Sequence, residues 1–192
     1  MKLLLFYLFF PIFSLYVHIR FKDLWHLKGA LQKDRIQNKF LKKWLIRMYD
    51  LKLSRMGSWI GYNSIFDSIP CFPHGMYGIF ISGGSRIGKN AVIFHQVTIG
   101  SNTLRGSDKV GSPEIGDNVY IGAGAKIIGR VKIGNNCRIG ANAVVYKDLP
   151  DNSVAVQSPT RIIQKMDLDN RFFSMNRDKE WVYFNNGKWE KE

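Results

Sequence analysis

Cysteine is scarce: Cys71 and Cys137 are the only two in 192 residues. Two cysteines cannot build a disulfide framework, which excludes a small secreted scaffold. Proline is also scarce, with 6 against 18 glycines, and the glycines follow no Gly-X-Y period, which excludes collagen. Acidic residues are few, with 15 Asp+Glu against 28 Lys+Arg and a formal charge of +13. No apolar run reaches the roughly 20 residues that a membrane-spanning helix needs. The N-terminal apolar stretch, Leu3–Val17, has fifteen residues and is broken by Pro11, and no small-residue cleavage site follows it. What is present is 45% apolar and 22% charged, a globular balance that excludes wholesale disorder. The cationic surplus implies an anionic partner: nucleic acid, a membrane surface or a phosphorylated substrate.

The charge is unevenly placed. Residues 1–56 carry net +9, residues 57–166 net +5 and residues 167–192 net −1. Lys2, Arg20 and Lys22 flank the apolar stretch. Beyond it, Leu24, Leu27, Leu31, Ile36, Phe40, Trp44 and Met48 recur at helical spacing among Lys28, Lys33, Lys39, Lys42, Lys43 and Arg47. Two readings of residues 1–56 stand. One is an anchor on an anionic membrane surface, which would hold a cytoplasmic protein against the inner membrane face. The other is a helical cap packed on the protein itself. No nucleic-acid motif accompanies the basic segment, so nucleic acid is not an expected partner.

The strongest signal lies at residues 115–145. Ile115, Ile121, Ile127, Ile133, Ile139 and Val145 are spaced by six without a slip. Gly116, Gly122, Gly134 and Gly140 follow four of these leaders, and Val119, Ala125, Val131, Cys137 and Ala143 hold the fourth place after each. Ile81, Ile87, Ile93 and Ile99 form an earlier block of the same period. Neither helix nor simple alternation produces a period of six, whereas a parallel β-helix does. The predicted fold is mainly β, a parallel β-helix over residues 57–166. A helical segment (1–56) precedes it and an aromatic extension (167–192) follows. The register breaks between Ile60 and Ile81, and again between Ile99 and Ile115, so residues 101–114 are predicted to leave the coil as a loop.

Residues 74–163, from HGMYGIFISGGSRIG to NAVVYKDLPDNSVAVQSPTRII, resemble the left-handed β-helix acyltransferases. The nearest branch is the serine acetyltransferase-like one, which includes the O-acetyltransferases of bacterial surface polysaccharides. The resemblance implies a homotrimer, acetyl-CoA as the donor, and an active site in the groove between subunits.

Acetyl transfer to an alcohol needs a base at the hydroxyl, and histidine suits that task near neutral pH. Of the four histidines, His18 and His26 lie in the basic segment and read as surface side chains. His74, in PHGMYGIFIS, resembles the family's catalytic histidine in an H-x-x-G-I setting, with one extra residue here, and is the expected general base. His95, two residues after Ile93, is placed on the coil surface as a second catalytic candidate. No aspartate directly precedes His74, and Asp67 is the closest upstream carboxylate. The family's Asp-Arg-His-Pro stretch, which helps hold the amino-acid acceptor, is replaced by Val110-Gly111-Ser112-Pro113.

For the donor, the resemblance assigns coil backbone at Ala123, Gly124 and Ala141, with Lys147 and Arg161 toward the phosphates. Each glycine there is equally a plain corner residue. Cys71 and Cys137 read as packed apolar residues rather than nucleophiles. No Cys/His grouping has zinc spacing, and the coil has two histidines where a metal-dependent carbonic anhydrase of this fold needs three, so no metal is expected. In the tail, Asn186-Gly187 between aromatic runs predicts a hairpin. Without the amino-acid-holding stretch, the expected acceptor is a nucleotide- or lipid-linked saccharide hydroxyl, acetylated during surface-polysaccharide assembly. A serine O-acetyltransferase of cysteine synthesis and a non-catalytic membrane-attached scaffold stand as alternatives.

Overall fold

The computed structural model describes residues 23–32, 36–157, 172–176, 178–185 and 188–191. The apolar stretch Leu3–Val17 and His18 lie outside the described residues. The chain forms two compact units, Met1–Gln157 and Ser158–Glu192.

The first unit begins with helices α1 (Leu24–Gln32) and α2 (Lys39–Ser54). Asn38 separates them and caps α2: its Oδ1 accepts from the backbone N–H of Phe40 and Leu41 at 3.0 and 3.1 Å, satisfying two donors that the first turn leaves unpaired. This break divides the apolar stripe seen in the sequence. Helix α1 buries Leu27 and Leu31, whereas α2 turns Leu45, Met48, Tyr49 and Leu53 inward and leaves Phe40 69% exposed. Among the described residues no helix is long and apolar enough to cross a membrane.

The coil follows as short strands: β1 (Trp59–Ile60), β2 (Ile65–Phe66), β3 (Phe80–Ile81), β4 (Arg86–Ile87), β5 (Val92–Ile93), β6 (Thr98–Gly100), β7 (Glu114–Ile115), β8 (Tyr120–Ile121), β9 (Lys126–Ile128), β10 (Lys132–Ile133), β11 (Arg138–Ile139), β12 (Val144–Val145) and β13 (Val154–Ala155). They pair in parallel as three faces, β1-β3-β6-β9-β12, β2-β4-β7-β10 and β5-β8-β11-β13. From β3 to β12 successive strands visit the three faces in turn, the layout of a left-handed parallel β-helix. Each branched leader stacks on the next: Ile81 on Ile99, Ile99 on Ile127, and Ile127 on Val145. The leaders from Ile60 to Val145 are at most 5% exposed. Each contributes roughly 1.5–3 kcal/mol by burial. Residues 101–113 lie between β6 and β7, and Glu114 belongs to β7.

The corner between the second and third faces is built by asparagine. Asn90, Asn118, Asn136 and Asn152 all have positive φ (54–59°), a conformation that asparagine tolerates better than other non-glycine residues. Their amides form a ladder: Asn90 donates to Asn118 and Asn118 to Asn136, each at 3.1 Å, and Asn136 donates to Asn152 at 3.3 Å. The column ties successive coils at this corner, alongside backbone bonds such as Asn118 N–H to Lys89 C=O at 2.8 Å.

Helix α1 is fastened to the first coil by a buried cation. The Lys28 ammonium, 3% exposed, donates to the carbonyls of Tyr62 (3.0 Å) and Ser64 and lies 5.1 Å from the centre of the Phe66 ring. Gln32 adds a bond to the same Ser64 carbonyl at 2.6 Å. Burial lowers the Lys28 pKa from 10.5 to about 8.

In the second unit, β14 (Phe172–Met175), β15 (Trp181–Asn185) and β16 (Lys188–Lys191) form an antiparallel sheet. Asn185 pairs with Lys188, the register that the Asn186-Gly187 hairpin requires, although those two residues lie outside the described set.

Two predictions follow from this packing. Asn118→Ala forces alanine into the left-handed region and cuts two ladder bonds, so denaturant unfolding should show a loss of about 1–2 kcal/mol. Asn118→Gly keeps the backbone and should lose less. For Lys28, the unfolded chain holds the proton up to about pH 10.5, whereas the folded chain releases it near pH 8. The unfolded state therefore binds more protons between these values, and stability rises with pH across that window. Relative to Lys28→Met, the wild type should become more stable from pH 8 to 10.5 in paired urea titrations.

Candidate active site

The sequence step from Ile60 to Ile81 is 21 residues, although the two are direct partners on the first face. Three hexapeptides would need 18. The surplus lies between Phe72 and Ile81, at the corner joining the third face to the first. It bulges through Pro73, His74 and Gly75, with positive φ at Gly75 (72°) and Gly78 (65°). A Cβ on Gly78 would stand 3.1 Å from the Gln96 side chain, so the bulge lies tightly under the next coil.

That next coil turns the same corner at Phe94-His95-Gln96. The two corners meet through a backbone bond from Gln96 N–H to Tyr77 C=O at 2.9 Å. Nδ1 of His74 then lies 3.0 Å from Nδ1 of His95, with ring centroids 5.0 Å apart. Phe94 meets His74 edge-on at 5.1 Å and itself contacts Tyr120, also at 5.1 Å. His74 is exposed and His95 half-buried, so both rings are open to a ligand from outside the coil.

The same edge continues upward through two more coils. Gly124 N–H donates to His95 C=O at 3.0 Å, and Asn142 N–H donates to Ala123 C=O at 2.8 Å. Ala123, Gly124 and Ala141, expected at the donor site, therefore share one corner with the two histidines. None of the three has a side chain beyond Cβ, so this edge is smooth and shallow next to the imidazoles. Lys126 lies beside it, its ammonium held by the carbonyls of Gln96 (2.7 Å) and Gly124 (2.9 Å).

Other predicted residues are elsewhere. Lys147 follows β12 and lies at the opposite edge of the first face, its ammonium 5.8 Å from the centre of the Tyr146 ring. Beside it Asp148 accepts from Lys109, at 3.0 Å, which braces the 101–113 loop. Arg161 lies outside the described residues. Asp67 does not orient His74: Arg86 holds both its carboxylate oxygens, at 2.9 and 3.1 Å. His26 is an exposed helix residue bonded to Asp23 at 2.9 Å. Cys137 is buried, with its thiol against the Pro150 carbonyl at 3.1 Å, and so is structural. Among the described residues no His, Cys, Asp or Glu cluster has the make-up to hold a metal. Phe94, Tyr120 and Lys126 are the site residues that the sequence reading passed over. They emerge only once the coils are stacked, because the loop sets Lys126 28 positions after its neighbour Thr98.

Residues 112–147 match the family described as bacterial transferase hexapeptide (six repeats). The serine acetyltransferase of Mycobacterium tuberculosis is 43% identical over 86 residues, 45% of this chain and 37% of that protein. The serine acetyltransferase of Helicobacter pylori strain 26695 is 42% identical over 93 residues, 48% of this chain and 52% of that protein. The crystal structure of Neisseria gonorrhoeae serine acetyltransferase in complex with serine superposes with a TM-score of 0.58 at 28% identity, covering 72% of this chain and 55% of that one. The chain thus spans about a third to a half of the length of these curated relatives.

These likenesses overturn the saccharide acceptor and the role in surface-polysaccharide assembly expected above, and favour the serine O-acetyltransferase alternative. The expectation rested on the missing Arg-His pair before Pro113. The loop carrying that stretch has side chains of its own, Arg105 and Lys109 among them. A gap at one position of such a loop does not define which acceptor it serves. Residues 112–147 carry the repeat of the bacterial hexapeptide transferases, and their strands stack as that repeat requires.

Proposed function

We propose that the chain is a serine O-acetyltransferase that takes acetyl from acetyl-CoA. The observation that carries this reading is the His74–His95 pair at the head of a smooth coil edge, in a chain 42–43% identical to serine acetyltransferases over 86–93 residues. In this reading acetyl-CoA supplies a thioester, an acyl group already activated toward an alcohol. Ala123 and Ala141 leave room for an extended arm along the edge, and a base waits at its end. His74 removes the hydroxyl proton as the oxygen attacks the thioester carbon; the carbon–sulfur bond then breaks. Direct transfer of this kind needs no enzyme nucleophile, which agrees with the packed role of Cys137.

The outer surface supports a homotrimer with the site between subunits. The first and third faces, which meet at the histidine edge, expose Trp59, Phe80, Tyr120, Val144 and Val154, each 44–63% accessible. The second face is more polar, presenting Arg86, Glu114 and Lys132 outward beside one exposed apolar residue, Ile65. Apolar exposure on this scale marks an interaction surface. Association through the first and third faces would place the histidine edge in the groove between neighbouring copies.

The test is thiol release from acetyl-CoA with L-serine, with O-acetylserine identified by mass spectrometry. Wild type should turn over, and His74→Ala should lose roughly 10²–10⁴-fold in kcat, the usual contribution of a general base. Absence of serine-dependent thiol release from the trimeric wild type would sink this reading.

A further inference from the structure

We propose that His74 and His95 form a two-ring proton relay, one ring acting as base to the hydroxyl and the other as acid to the leaving sulfur. This rests on the acetyltransferase reading above and gives His95 a role of its own within it. The Nδ1 atoms face each other at 3.0 Å, a hydrogen-bonding distance that requires one proton between them. No carboxylate shares in this. Among the described residues neither imidazole has a hydrogen bond or ion pair with Asp or Glu, and Asp67 is held by Arg86.

The proton count then fixes what the pair presents. Each neutral imidazole carries one ring proton. The ring that donates through Nδ1 has a bare Nε2, and the ring that accepts at Nδ1 must carry its own proton on Nε2. Whichever ring donates, the pair shows the site one base and one acid. A single histidine cannot do both at once.

The step balances as follows. The bare Nε2 takes the hydroxyl proton while the oxygen–carbon bond forms. That ring, now cationic, passes its Nδ1 proton across the 3.0 Å contact. The second ring, now cationic, delivers its Nε2 proton to the sulfur as the carbon–sulfur bond breaks. The products are the O-acetyl ester and a neutral thiol, and the pair is left neutral in the mirror tautomer. Both rings are solvent-accessible, so water can restore the first tautomer between turnovers.

His95→Asn separates relay from mere positioning. The asparagine amide oxygen can still accept from Nδ1 of His74, which preserves ring orientation, but it cannot take the proton onward. The backbone bond from Gly124 to residue 95 is unaffected by the change. With serine as acceptor, kcat should fall at least about 100-fold with KM within about twofold, the range for loss of an acid–base group. The proton inventory in mixed H2O/D2O should change from curved to linear. Retention of kcat within about threefold with an unchanged inventory would make His95 a positioning residue and overturn the relay.

A second readout needs no acceptor. Long-range 15N–1H spectra of the wild type at neutral pH should show a proton on Nδ1 in the pair, lost from that position in His95→Ala. Two Nε2–H tautomers, which leave bare Nδ1 facing bare Nδ1, would overturn the proposal even in an active enzyme. Inactivity of the wild type on serine alongside the expected spectrum would count against the acceptor and leave the relay standing.

Discussion

The coil has room for one branched side chain per face per level, and almost every other property of the first unit depends on that stacking. Ile81, Ile99, Ile127 and Val145 stand one on another along the first face. Strands on neighbouring levels are separated by about 4.8 Å. This spacing gives the backbone little freedom, and any extra residue must leave the prism at a corner rather than stretch a face. Both insertions do so. The long one, residues 101–113, leaves between the first and second faces, and the short one at His74 leaves between the third and first. A rigid core thereby fixes where irregular, chemically active chain can exist.

The corners carry a second constraint. Each must reverse direction in a few residues, which brings glycine and asparagine into the left-handed region at Gly78, Asn90, Asn118, Gly124 and Asn136. At the asparagine edge the side chains are consumed in bonding one another. At the histidine edge Gly78 and Gly124 alternate with Gln96 and Asn142 at these positions, and a Cβ on Gly124 would lie 2.1 Å from the Asn142 amide oxygen. The same crowding that keeps this edge small leaves it low enough for a ligand beside the imidazoles. Structure and site are two consequences of one packing rule.

This explains what could be read from the sequence and what could not. The period of six names the buried positions, and so the fold, because inward leaders have no other way to stack. The loop boundary follows from the failure of that period between Ile99 and Ile115. The meeting of His74 and His95 does not follow, because the bulge at residues 73–75 belongs to no register. Lys147 was assigned by its place in a motif, but the turn after β12 carries it to the far edge. Asp67 is near His74 in sequence, yet β2 pairs beside β4 and gives it to Arg86. The single amphipathic stripe inferred across residues 24–48 divides at Asn38, where the cap resets the helical phase. Lys28, counted at first with the surface cations, is buried under three coil residues, a contact fixed by tertiary packing alone.

A base that is backed by a carboxylate stabilises its own positive charge after it takes a proton. The pair at this edge has no such support: among the described residues no carboxylate bonds to either ring, and Arg86 holds Asp67. A proton arriving on one imidazole must therefore be passed on rather than held. The thiolate left by thioester cleavage is the nearest developing negative charge, and the second ring offers the route to it. The absence of an acid beside His74, which in the sequence looked like a missing part, is what makes the neighbouring histidine necessary.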